Sequence, residues 1–200
     1  MKWSTQRADE LNKDSSEIKK RSIKKKVGLT IYEMCLFSMF GALMFGSKKM
    51  MEFLPNIHLI GMFIVLLTVV YRSKALIPLY IYVFLDGMFG GFNLWWIPYL
   101  YIWTVLWGMA MLIPKKVPNW AAAIVYPVVC SLHGFLFGIL YAPAQALFFK
   151  LSFQQTISWV MAGSLFDTVH GISNLIAGLL IFPLSIVIKK LNSSVYTRIG

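Results

Sequence analysis

The chain is 200 residues long, 58% hydrophobic and 14% charged. Soluble domains average about 25% charged and about 45–50% apolar residues, so both departures point toward a membrane protein. The net charge of +11 does not indicate nucleic-acid binding: residues 1–26 hold nine basic and four acidic residues, and residues 27–200 are too apolar to face water.

In chain order, the polar, basic tail comes first. It lacks the small-residue cleavage site of a secretory signal, and its run Lys19–Lys26 fits the anionic inner leaflet. Six apolar stretches then predict membrane-spanning helices over 27–51, 57–71, 75–92, 94–113, 119–140 and 156–188. The last is longer than one crossing needs, so it tilts or projects past the bilayer. The expected fold is an all-α integral membrane protein: a tail at 1–26, a six-helix domain at 27–190 and a short tail at 191–200. Loop charges orient it. With both termini cytoplasmic, 16 of the 19 basic residues fall inside, and only Lys48, Lys49 and Lys150 fall outside or near the outer end.

The first helix carries Ser38, Ala42 and Gly46 at steps of four, beside Gly41. Such a stripe lets another helix approach closely, within this bundle or in a partner. Cys35 and Cys130 lie in apolar stretches without metal or redox neighbours and are expected to be small buried hydrophobes.

Ionisable groups inside spans are expensive and point to function. In SLFDTVHGISNLIAG, Asp167, His170 and Asn174 share one helix face flanked by Gly163, Gly171, Ala177 and Gly178. Asp167 and His170 are expected to pair, as a binding face, a proton relay or a polar clasp between helices. Asp86 is followed by Gly87, Gly90, Gly91, Asn93, Trp95 and Trp96. For Trp96 an interfacial belt and a ligand-stacking role are both open. His133, alone on the fifth helix, reads as a helix contact. The turn from Tyr141 to Gln145 and the loop around Asn56 and His58 are expected to cover a site from outside. These polar groups gather in the outer half, as an aromatic-lined small-molecule pocket requires. Glu33 is the main inner exception. No phosphate-cradling loop, HExxH or GxSxG is present, and no catalytic, metal or cofactor site is expected.

The segments GALMFGSKKMMEFLPNIHLIGMF, VFLDGMFGGFNLWWIPYLYIWTVLWG, LYAPAQAL and FDTVHGISNLIAGLLIFPL, together with the six-span pattern, resemble the substrate-binding (S) components of energy-coupling factor (ECF) transporters over residues 31–190. The resemblance implies a non-enzymatic subunit of a prokaryotic plasma-membrane importer. It would capture a vitamin-like micronutrient from outside and dock on a transmembrane coupling subunit attached to two cytoplasmic ATPases. It also implies that Ser38, Ala42 and Gly46 form the docking stripe, although the family's residues there are usually alanines. Asn56, His58, Asp86, Asn93, Trp96, Tyr141, Gln145, Asp167, His170 and Asn174 are the candidate ligand contacts. A stand-alone proton-coupled carrier using Asp167 and His170 is the alternative.

Overall fold

A computed structural model of the chain describes residues 29–199, with side chains given for 29–194. The basic tail at 1–26 and the Arg198 side chain lie outside that range. The chain divides into two compact units, Met1–Leu36 and Phe37–Gly200. In the described part of the first unit, Thr30 and Glu33 form a reciprocal cap. The Glu33 amide donates to Thr30 Oγ1 and the Thr30 amide to Glu33 Oε2, each at 3.1 Å. This cap starts helix α1 (Ile31–Met50) and gives Glu33 a structural role.

The described residues form helices only. After α1 come α2 (Ile60–Tyr71), a short 3-10 turn (Arg72–Ala75), α3 (Leu76–Gly90), α4 (Tyr99–Met111), α5 (Asn119–Phe135), α6 (Phe137–Phe149), α7 (Phe153–Gly178) and α8 (Ile181–Ile199). By length and composition alone, Ile60–Gly90 and Asn119–Phe149 are each long and apolar enough to cross a membrane, and α7 with Ile181–Ser194, bent by 44°, makes a third if the pair is one span. Large apolar side chains are exposed along them, including Phe153, Leu147, Met161 and Leu165. That is the surface a helical membrane protein presents to lipid.

Contacts give the direction of each leg. His58 and Tyr82 both meet Trp103, at ring-centroid distances of 5.8 and 6.3 Å. A straight helix would separate them by ~36 Å, so the chain folds back between them. Arg72 makes the reversal with φ 56°. Its guanidinium donates to the carbonyls of Met111 and Ile113, closing the end of α4. α1 runs beside α3 in the same direction, with Phe45 against Phe89 and Lys48 against Asp86. α4 runs the opposite way, pairing Thr104 with Tyr80 and Trp107 with Arg72. α5 and α6 return, and α7 descends against them. Successive legs among the described residues therefore alternate in direction.

The α5–α7 crossing is the tightest. A Cβ on Gly134 would sit 2.8 Å from Gly171 Cα, and one on Gly178 would sit 2.6 Å from Pro127 Cα. Ser131 Oγ donates to the Gly171 carbonyl at 2.9 Å. Small residues gain close backbone packing here, where lipid offers no hydrophobic drive.

Two predicted boundaries are corrected. The segment Tyr141–Gln145 is not an outer turn. It lies inside α6, because its alanines favour helix and a backbone at membrane depth must satisfy its own hydrogen bonds. The helix stops at Lys150, which is left-handed (φ 52°), and Ser152 caps α7 through a capping box with Gln155. The predicted helix over 156–188 is two helices bent by 44°. Gly178 is pinned on Pro127, and Pro183 falls in the first turn of α8, where its missing N–H is tolerated. α8 then continues through the predicted tail to Ile199, held by Asn192 against the Tyr71 hydroxyl.

Candidate binding site

All three histidines of the chain converge around Trp103. His58 ends the loop before α2, His133 lies late on α5, and His170 lies on α7. The His58 and His170 rings are 4.8 Å apart, and His133 lies 5.6 Å from Trp103. Phe137 packs 4.9 Å from His170 and 5.6 Å from Trp103. His133, His170, Trp103 and Tyr82 are each at most 1% exposed.

Most of the polar atoms in this cluster lack a partner. His133 Nε2 lies 3.0 Å from the Ile102 carbonyl, which can only accept, so Nε2 carries the hydrogen and Nδ1 is left as an acceptor. That Nδ1 is unpaired, as are His58 Nδ1, both nitrogens of His170, Tyr82 Oη and Trp103 Nε1. One unsatisfied buried group costs about 1–3 kcal/mol. A stability-optimised core does not collect six such atoms around one ring, whereas a site built to hydrogen-bond a ligand does. No group of three or more His, Cys, Asp or Glu among the described residues is arranged to hold a metal ion. The histidines offer hydrogen-bond atoms and ring faces.

Beside this cluster lies an ion pair in an aromatic cage. Lys48 Nζ is 2.6 Å from Asp86 Oδ2. It also lies 4.9, 5.7 and 6.0 Å from the ring centroids of Tyr99, Trp95 and Tyr82. The loop after α3 closes over it. Gly91 takes φ 90°, and Gly87 and Gly90 leave room for Trp96 and Trp95 to lie on the helix. Trp96 Nε1 donates to the Val83 carbonyl at 2.7 Å, so this residue clamps the loop to α3. Tyr141 donates to the Trp95 carbonyl at 3.0 Å and stacks on Trp159, joining the loop to α6 and α7.

Of the residues expected from the sequence, His58 and His170 meet at the centre and Asp86 borders it through Lys48. Asn174 sits one turn below His170, fully buried, with both amide atoms unpartnered and held between Gly61 and Gly134. Tyr141 and Trp96 hold the surrounding wall. Asn93 is exposed on the loop, and Gln145 is half-buried about two turns beyond Phe137. Asn56, left-handed at φ 59°, acts through its carbonyl, which accepts from Ser173 Oγ at 3.1 Å.

The expected Asp167–His170 pair does not form. Asp167 is turned to α6, where Oδ1 accepts the Gly138 amide at 3.0 Å, while both His170 nitrogens stay unpaired in the interior. A step of three residues rotates the side chains about 60° apart on the helix, enough to give them different neighbours. Gly163 meets open space, while Gly171, Ala177 and Gly178 are buried. Cys130 is buried and Cys35 is exposed. The sequence reading missed His133, Lys48, Tyr82, Tyr99 and Trp103 as members of the site. Their aromatic and ionisable character was visible, but their convergence depends on contacts across 30 or more residues.

On α1, Gly41 packs against Pro78 and Ile81, whereas Ser38 and Ala42 are exposed and Gly46 has open space around its Cα. The stripe at steps of four thus lies outside the contacts that Gly41 makes. No family model matches the sequence, and no curated protein or solved structure matches it.

Proposed function

We propose that this protein is the substrate-binding component of an ECF-type importer, crossing the prokaryotic plasma membrane six times with both termini inside. The observation that carries this reading is the set of unpartnered buried polar atoms around Trp103, enclosed by Phe137, Tyr82 and Tyr99. That environment suits a small, flat heteroaromatic compound: rings to stack on it, and neutral donors and acceptors to hydrogen-bond its edge.

Leg lengths support an outward-opening site. α2 has 12 residues and α4 has 13, so they are ~18 and ~20 Å long, short of a ~30 Å hydrocarbon core. Their loops at the histidine end then fall within membrane depth. Irregular backbone is tolerated there when it lines a cavity or is buried in protein. The long α5–α6 leg and α7 stand on one side of the cluster, through His133, Phe137 and His170. The stripe of exposed Ser38 and Ala42 with Gly46, whose Cβ position is open, supports docking on a transmembrane coupling subunit, whose two ATPases would drive release inward.

Purification from its native membrane followed by mass spectrometry of extracted small molecules tests the binding role. Co-purification with a coupling subunit and two ATPases tests the importer role. A retained heteroaromatic compound and a stable complex are expected. Absence of both, or uptake into liposomes by this chain alone, overturns the proposal.

A further inference from the structure

Next to the histidine cluster a groove opens on the side of the bundle. Met51, Ile57 and His58 form one wall of a groove of about 620 Å³, and Val169, Ile172 and Ile176 on α7 form much of the other. This volume lies within the ~300–1,000 Å³ of small-molecule pockets. Apart from His58, its polar lining is Ser173, whose hydroxyl is engaged with the Asn56 and His170 carbonyls. The groove therefore offers no free hydroxyl and suits an apolar occupant.

His58 belongs to both the groove and the cluster. It lines the groove, and its ring lies 4.8 Å from His170 and 5.8 Å from Trp103. Behind it are the unpaired His170 nitrogens, which are 1% exposed. The Ser173–Asn56 hydrogen bond holds the loop on α7, where the groove meets the cluster. The polar atoms that need partners and the apolar channel that needs filling thus adjoin one another at membrane depth.

We infer that the ligand is an amphiphile, whose heteroaromatic head occupies the cluster of His58, His133 and His170 and whose apolar tail leaves sideways past His58 into the groove between the 51–59 loop and α7. The inference rests on the reading that the histidine cluster binds a small molecule, and it adds the substrate class. A fully water-soluble micronutrient would leave the groove unused. A simple lipid would leave the six polar atoms unpaired.

The test uses the full chain in nanodiscs and two probes, 4-hydroxyquinoline and its 2-heptyl derivative. They share one N–H, one carbonyl in the keto form and one bicyclic face, and differ by the chain. Binding is measured by calorimetry for the wild type, Ile176→Trp and His170→Met. Ile176 is 64% exposed, so tryptophan there fills the groove without entering the core. The heptyl probe is expected to bind the wild type most tightly and to weaken about tenfold in Ile176→Trp, a change of the size typical of a blocked apolar subsite, while the bare probe is unaffected. His170→Met is expected to lose both. Equal affinity of the two probes overturns the amphiphile while leaving the binding-subunit reading intact. An equal heptyl gain in wild type and Ile176→Trp means bilayer partition alone and also overturns it. Failure of both probes to bind the wild type overturns it together with the heteroaromatic site.

Discussion

Lys48 and Asp86 form an ion pair whose two members are unequally buried: the Asp86 side chain is 3% exposed and that of Lys48 is 21%. Removing the cation strands a carboxylate in an apolar wall. Removing the carboxylate leaves an ammonium on a flexible stem that can reach solvent and still faces three aromatic rings. Lys48→Met is therefore expected to destabilise by about 3 kcal/mol and Asp86→Asn by clearly less, because breaking a buried pair is most costly where the leftover charge stays buried. The double variant should recover most of the Lys48→Met loss. Thermal unfolding in detergent checks the order, and equal losses would contradict this asymmetry.

The α5–α7 seam predicts a sharp contrast among glycines. Gly134→Ala and Gly178→Ala would each press a methyl group against backbone, at 2.8 and 2.6 Å from the nearest Cα. Backbone cannot yield as a side chain can, so each should cost about 2–3 kcal/mol. Gly163→Ala, which meets nothing within 4 Å, should be neutral or stabilise by up to about 1 kcal/mol through helix propensity. Parallel melting curves of the three variants test this.

How far the sequence reveals the fold and the site depends on the range of each signal. Apolar runs and loop charges depend on neighbouring residues, so the apolar helical legs could be read in order. The continuation of α6 through Pro143 could not, since proline and a Tyr-Ala-Pro-Ala-Gln string read as a turn in water. The face bearing His170 and Asn174 was visible as a local spacing. Its true partners, His58 and His133, were not, because nothing near His133 in sequence distinguishes it from a lone helix contact. Asp167 looked like part of the same face until Gly138 offered an amide across the α6–α7 contact.

His170 separates a binding role from a structural one. With both ring nitrogens unpaired and 1% exposure, it burdens the fold rather than supporting it. Replacing an unsatisfied buried polar group by an apolar one of similar size is near neutral or stabilising. His170→Met should thus raise the melting temperature or leave it unchanged, while the purified protein loses its retained small molecule. A variant that unfolds would show that His170 supports the structure.

The α1 stripe yields the prediction that distinguishes binding from coupling. Ser38 and Ala42 are exposed, and a Cβ on Gly46 would meet nothing within 4 Å among the described residues, so side chains added at these positions start in open space. Ala42→Trp and Gly46→Leu should change stability by no more than about 0.5 kcal/mol, as surface substitutions do. Ligand retention should stay within about twofold of wild type, because the stripe contributes no residue to the histidine cluster. Association with the coupling subunit should be lost, because small residues at steps of four act by admitting a partner helix closely. Co-purification and uptake, measured beside ligand retention, read these effects separately. If coupling survives both substitutions, the partner seats on another face of the bundle.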